Sequence, residues 1–215
     1  MARFLQIVGL AAGLIGLVLQ FLITIPAAMA AGRGFVGAIV FYFSFFTILT
    51  NIAVVLVHVS LLTPTGYAWA PGFASPRLRA GVAVAICVVT IVYAVVLAPL
   101  WQPHGLFLLC NVLLHYVAPA LFVLWWLTAG AEGTSRWEDI PVWLIYPVLY
   151  VVYALTRAHF TGEAPYPFLD VRMTGIFGVV LGTLGVAALF VALGVAAAFL
   201  DRTIGRRRAP APRRR

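Results

Sequence analysis

Hydrophobic positions in this chain run in long unbroken blocks. Six of them reach the ~20 residues that carry a helix across a bilayer at about 1.5 Å per residue. They are Phe4 to Ala30, Phe35 to Leu62, Leu78 to Trp101, Leu106 to Thr128, Ile140 to His159 and Thr174 to Leu200. Short polar or Pro/Gly-rich links such as "TPTGYAWAPGFASPR" and "AGAEGTSRWED" separate them. The pattern predicts an all-α polytopic membrane bundle of six transmembrane helices spanning residues 1–201. The basic tail at 202–215 is expected to be disordered. The first block ends in "TIPAAMAAG", whose A-x-A pattern a signal peptidase accepts. Its apolar stretch is nevertheless far longer than a signal core and only Arg3 precedes it, so a retained helix is expected. Gly9, Gly13 and Gly16, and Gly178, Gly182 and Gly185 on the last block, suit close helix contact.

Composition agrees with this architecture. Of 215 residues, 64% are hydrophobic and 9% charged, and mean hydropathy is +1.07, more apolar surface than a soluble domain of this size can hide. All 14 basic residues are Arg, and seven follow Phe199, so the net charge of +8 belongs mainly to the tail. Such a tail suits anionic lipid headgroups on a cytoplasmic face. No aromatic-basic platform accompanies it, which argues against a nucleic-acid partner. With the N-terminus inside, Arg3, Arg77, Arg79, Arg136 and the tail are cytoplasmic, and only Arg33, Arg157 and Arg172 are external. Both termini are therefore expected in the cytoplasm. The all-Arg, Ala/Gly/Val-rich usage is that of a high-GC bacterial gene and points to a bacterial cytoplasmic membrane. Cys87 and Cys110 read as small buried residues rather than a disulfide or metal pair. No metal or organic cofactor is implied.

The polar residues inside the blocks carry the candidate chemistry. On the second block Ser44, Thr47 and Asn51 share a helix face at i, i+3, i+7. On the fourth, Asn111 and His115 are i, i+4. On the fifth, Tyr146, Tyr150, Tyr153 and Arg157 follow one stripe, with His159 beyond. Ionisable groups at membrane depth face the bundle interior or a wet cavity, so one shared pocket between the second, fourth and fifth helices is expected. In straight helices Thr47 lies about 18 Å and His115 about 12 Å from the external ends, close enough to meet. His58 is expected near the cytoplasmic interface. The plain alternatives are a Thr bonded to its own i−4 carbonyl and a tyrosine stripe that only packs.

A Thr–His pair has a definite chemical use. An imidazole within hydrogen-bond reach takes the hydroxyl proton as the oxygen attacks an ester carbonyl, giving an acyl-threonine that water hydrolyses. Asn51, Tyr153 or Arg157 is a candidate oxyanion donor, and Asn111 a candidate for fixing the imidazole tautomer. The loop "TGEAPYPFLD" is too rich in Gly, Pro and acid to span lipid. It is expected to cover the pocket's outer mouth, with Tyr166 and Phe168 as anchors and His159 beneath, or else to be a plain loop packed at the interface.

Three stretches, "FFTILTN", "NVLLHYVAP" and "HFTGEAPYPFLD", together resemble the androgen-induced membrane protein family. Its eukaryotic members have six predicted spans and hydrolyse fatty acid esters of hydroxy fatty acids. The most specific match is H-x-T-G-x-x-x-Y-P-F-L plus an acidic residue, at His159, Thr161, Gly162, Tyr166, Pro167, Phe168, Leu169 and Asp170. The resemblance implies a nucleophile at Thr47, with Thr50 as the competing register, and a base at His115, four residues after Asn111 and before Pro119. The chain departs from the eukaryotic pattern in placing that proline one residue nearer the His, and in carrying Val112 where a second His stands. The implied substrate is a membrane lipid or fatty acyl ester. A non-enzymatic transporter or lipid-binding bundle using the same polar pocket is the alternative. Oligomeric state is left open by the sequence.

Overall fold

A computed structural model describes residues 1–63 and 71–208 of the chain; most of the link after the second block and residues 209–215 lie outside the described residues. The described chain is all-helical and membrane-embedded. Five helices are long and apolar enough to cross a bilayer, and a sixth span is formed by a bent pair. They are α1 (Ala2–Ala30), the pair α2 (Phe35–Phe43) and α3 (Phe46–Leu62), α4 (Pro76–Leu100), α5 (Gly105–Gly130), α6 (Asp139–Thr161) and α7 (Val171–Arg208). Among the described residues there is no strand. Apolar side chains coat the outside as well as the core, as lipid requires: Ile176, Phe177 and Phe160 are all more than 70% exposed.

The second block is not one helix. It breaks at Ser44–Phe45, and its halves are inclined at 72°. No Pro or Gly sits there. Ser44 Oγ instead donates back to the Val40 carbonyl at 2.5 Å, a local bond that bends helices. The freed Ser44 carbonyl and two nearby hydroxyls find partners on α6. The Tyr150 hydroxyl donates to the Ser44 carbonyl at 2.9 Å, the Tyr153 hydroxyl pairs with Ser44 Oγ at 3.0 Å, and the Tyr146 hydroxyl pairs with Thr50 Oγ1 at 2.9 Å. Irregular backbone survives at membrane depth only with such satisfaction. The tyrosine stripe at i, i+4, i+7 is therefore a hydrogen-bonded clasp on the break.

Helix α4 contains a widened π turn at Tyr93–Leu97, and α5 has one at Leu113–Val117 and another at its end, Trp126–Gly130. The first two precede a proline, Pro99 or Pro119, whose ring cannot donate to, and crowds, the carbonyl four residues back. In α5 that carbonyl belongs to His115. Close approach of α1 to the bundle depends on its small residues. A Cβ at Gly9, Gly13 or Gly16 would come within 3.0 Å or less of His58, Val55 or Leu114 respectively. On α7, Gly182 meets Phe168 of the preceding loop, whereas Gly185 faces open space, so that stripe is not a continuous helix seam.

The two ends of the bundle carry different ion pairs. At one end Arg79 bonds Glu132 at 2.5 Å, and the buried Asp201 accepts from the Glu132 and Ser135 amides at 2.9 and 2.8 Å. Arg208 donates to the carbonyls of Thr128 and Ala131, which close α5. Helix α7 thus continues through Arg208, so residues 202–208 of the expected disordered tail are helical. At the other end Glu163 receives Arg33 at 2.7 Å and Arg157 at 3.0 Å. His58 is a second correction: it is fully buried rather than interfacial, wedged among Gly9, Phe122 and Trp125. Neither of its ring nitrogens has a hydrogen-bond partner among the described residues.

Candidate functional site

The bend in the second span puts Thr47 in the first turn of α3. Amides in a helix's first turn have no intrahelical acceptor, and the backbone dipole leaves partial positive charge there. The Thr47 N–H points at the Tyr166 hydroxyl, 3.3 Å away. The Thr47 side chain, 8% exposed, places Oγ1 3.3 Å from His115 Nε2. Thr47 and His115, 68 residues apart in sequence, are brought together as their spacing and depth predicted, although through a bent span rather than a straight one.

The imidazole is held on three sides. His115 Nδ1 lies 3.1 Å from the Asn111 carbonyl. A carbonyl only accepts, so this bond puts the proton on Nδ1 and leaves the Nε2 lone pair facing Thr47. The Tyr93 ring stacks on the imidazole, centroids 3.8 Å apart and planes inclined 25°. Both rings of that stack sit on the π turns described above. The tautomer is set by the Asn111 backbone, not by its side chain. The Asn111 side chain is buried, and its Oδ1 has no partner among the described residues.

Asn51 has a different part from the one expected. Its amide donates to the Thr47 carbonyl at 2.9 Å and to the Leu114 carbonyl at 3.0 Å, riveting α3 to α5 beside the pair. With both Asn51 amide hydrogens taken, Tyr153 engaged with Ser44 and Arg157 with Glu163, the three expected oxyanion donors are all committed to other carbonyls, hydroxyls or carboxylates. The phenol that meets the Thr47 amide is Tyr166. Burial pushes this phenol up from its ordinary pKa, so it is a neutral donor at physiological pH. Thr50 turns toward Tyr146 and away from His115. His159 is exposed and edges onto Phe160 instead of lying under the loop.

A cavity of about 560 Å³ opens on this pair, within the range of ligand pockets. Thr47, His115, Asn111 and Tyr166 share its wall with apolar side chains of α1, α2, α4 and α5, including Phe41, Phe45, Leu97, Leu114 and Trp101. No residue of α6 lines it, so the shared pocket is not the one expected: α1 takes the place of the fifth block. The loop after α6 folds inward. Pro165, Tyr166 and Pro167 line the cavity, Tyr166 lies parallel on Phe168 with centroids 5.4 Å apart, and Phe168 packs toward Gly182. Arg33, whose guanidinium lies 4.4 Å over the Phe41 ring, reaches the same rim and pins the loop through Glu163. Partial burial pushes the Glu163 carboxyl up, but hydrogen bonds and charge from Arg157 and Arg33 outweigh this and hold it below the usual carboxylate range.

Comparison with protein-family models, characterised proteins and solved structures returned no match for this chain.

Proposed function

We propose that this protein is a membrane-embedded lipid ester hydrolase with Thr47 as nucleophile and His115 as general base. The observation that carries the reading is the 3.3 Å contact between Thr47 Oγ1 and the unprotonated His115 Nε2 on the wall of a largely apolar 560 Å³ cavity. Supporting it, the three stretches on which the family resemblance rests converge there: "FFTILTN" brings Thr47, "NVLLHYVAP" brings His115, and the loop brings Tyr166.

The chemistry follows from the geometry. An acyl chain lies along the apolar wall with its ester carbonyl at Thr47. His115 Nε2 takes the hydroxyl proton as Oγ1 attacks. Charge gathers on the carbonyl oxygen, where the Thr47 amide and the Tyr166 hydroxyl, which bond each other at rest, turn to donate. His115 returns its proton to the departing alcohol, leaving an acyl-threonine. Water, deprotonated by His115, then attacks, releasing the acid and restoring the Thr47 hydroxyl. The substrate class is a long-chain lipid ester entering laterally between helices. The host membrane is the cytoplasmic membrane of a bacterium with both termini inside, so the cavity opens outward; reporter fusions after Arg79 and after Arg215 are both expected to read cytoplasmic.

A fluorophosphonate probe with a long alkyl chain tests the hydrolase reading. Labelling of the purified, folded protein that disappears in Thr47→Val supports it. Absence of labelling together with tight binding of a fluorescent lipid favours the non-enzymatic lipid-binding or transport reading.

A further inference from the structure

The deacylation step has a supply problem. A lipid-filled main cavity excludes bulk water from Thr47, yet an acyl-threonine is released only by water. Thr47 also lines a second cavity, of about 60 Å³, between α3, α4, α6, α7 and the loop, whose wall is otherwise mostly apolar. It shares Thr47, Tyr93, Leu97 and Tyr166 with the first. In its wall the Thr183 hydroxyl of α7 is buried with no hydrogen-bond partner among the described residues. Buried hydroxyls in native proteins are satisfied, and where no protein group does so an ordered water is the usual partner. The space exceeds the roughly 10–15 Å³ that a single water needs, so it holds at least one.

We propose that this second cavity is a water chamber for deacylation, and that Thr183 is the positioning residue that holds water in it. The proposal rests on the hydrolase reading above. Thr47 and Tyr166 line the same cavity, so a water anchored at Thr183 sits in space that adjoins the candidate nucleophile. From there it passes beside Tyr93, whose ring backs His115, to the acyl carbonyl on Thr47. The step balances: His115 Nε2 removes one water proton, the water oxygen bonds the acyl carbon, the Thr47 Oγ–acyl bond breaks, and the proton returns to Oγ. The products are a carboxylic acid and free Thr47. The main cavity handles lipid, and the small one adjoining it handles water.

The test separates the two half-reactions. Full-length protein in nanodiscs is given p-nitrophenyl decanoate, and the p-nitrophenol burst, the steady-state rate and the acyl-Thr47 adduct by intact mass are followed. Thr183→Val keeps shape and removes the hydroxyl. The expected result is an unchanged burst rate, steady-state turnover lowered about fivefold to tenfold, as for one lost hydrogen bond, and accumulated acyl-Thr47. Thr183→Ser is expected to restore turnover, and Val186→Phe, which fills the chamber from the next turn of α7, to slow deacylation again. Unchanged turnover in both Thr183→Val and Val186→Phe would overturn the chamber, and so would a burst rate that falls in parallel with turnover. If the wild type forms no adduct and Thr47→Val still hydrolyses the ester, the hydrolase reading itself fails, and the chamber with it.

Discussion

Replacing Thr47 is the most informative perturbation. Thr47→Val keeps the buried methyl and removes the hydroxyl that lies 3.3 Å from His115 Nε2. A bond of that length sits toward the weak end of the range, so its loss costs about 1 kcal/mol, with a further ~1 kcal/mol for leaving a buried imidazole acceptor unpaired. About 2 kcal/mol is tolerable for a bundle of this size, and thermal denaturation in detergent should show a shift of a few degrees. The catalytic effect is far larger. Losing the nucleophile of an acyl-transfer site costs about 10⁴-fold or more in turnover, over 5 kcal/mol of barrier. Folded but inactive protein is therefore expected. His115→Ala should be as inactive, and the double variant no worse than either single one, because the two groups act as a unit. Thr50→Ala, which removes the bond to Tyr146 and a buried methyl, should keep turnover within about twofold, as a site outside the proposed Thr47–His115 pair does. The assay is hydrolysis of a panel of lipid esters by purified protein, with melting temperature measured on the same samples. Thr47→Val turning over at more than a tenth of the wild-type rate would refute the nucleophile assignment, and an inactive Thr50→Ala beside an active Thr47→Val would place the site one turn away.

Three further outcomes follow from the same geometry. Tyr166→Phe removes the hydroxyl that meets the Thr47 amide and should lower kcat about 10²-fold with KM little changed; a change confined to KM would assign Tyr166 to substrate packing instead. Gly9→Ala would bring a Cβ to 2.8 Å from His58 Nε2, whose ring is boxed in by Phe122 and Trp125, and should destabilise the fold by about 1–3 kcal/mol without touching the site; an unchanged melting temperature would show that α1 is free to shift outward. Glu163 is held below its ordinary pKa of 4.5, so its grip on the loop is complete above that value and is lost as pH falls through the lower folded one. Hydrogen exchange across residues 162–170, corrected for the intrinsic rate, should stay slow from neutral pH to about pH 5 and speed up below it, and Glu163→Gln should be fast throughout, whereas slow exchange in that variant at pH 7 would mean Tyr166 alone holds the loop.

Hydrophobic block length determined the number of spans, because a bilayer's thickness translates directly into residues of helix. The spacing of polar residues inside those blocks placed Thr47 opposite His115, since polar groups at membrane depth have few partners other than one another. What the sequence could not give was the break at Ser44–Phe45. "FYFSFFTIL" contains no Pro or Gly, and its bend depends on phenols from α6, about 100 residues later, that satisfy the freed groups. That break turns Thr47 into a first-turn residue with an open amide, and so decides that Tyr166, rather than Tyr153 or Arg157, meets that amide. The imidazole tautomer likewise rests on a backbone carbonyl, which every residue has and no sequence pattern marks. The burial of His58 is hidden from the sequence for a related reason: its depth along the chain is legible, but the pocket that buries it is made by the missing side chain of Gly9 and the rings of α5. Local periodicity fixes which face of a helix is polar, and only the packing of distant helices fixes which groups that face meets.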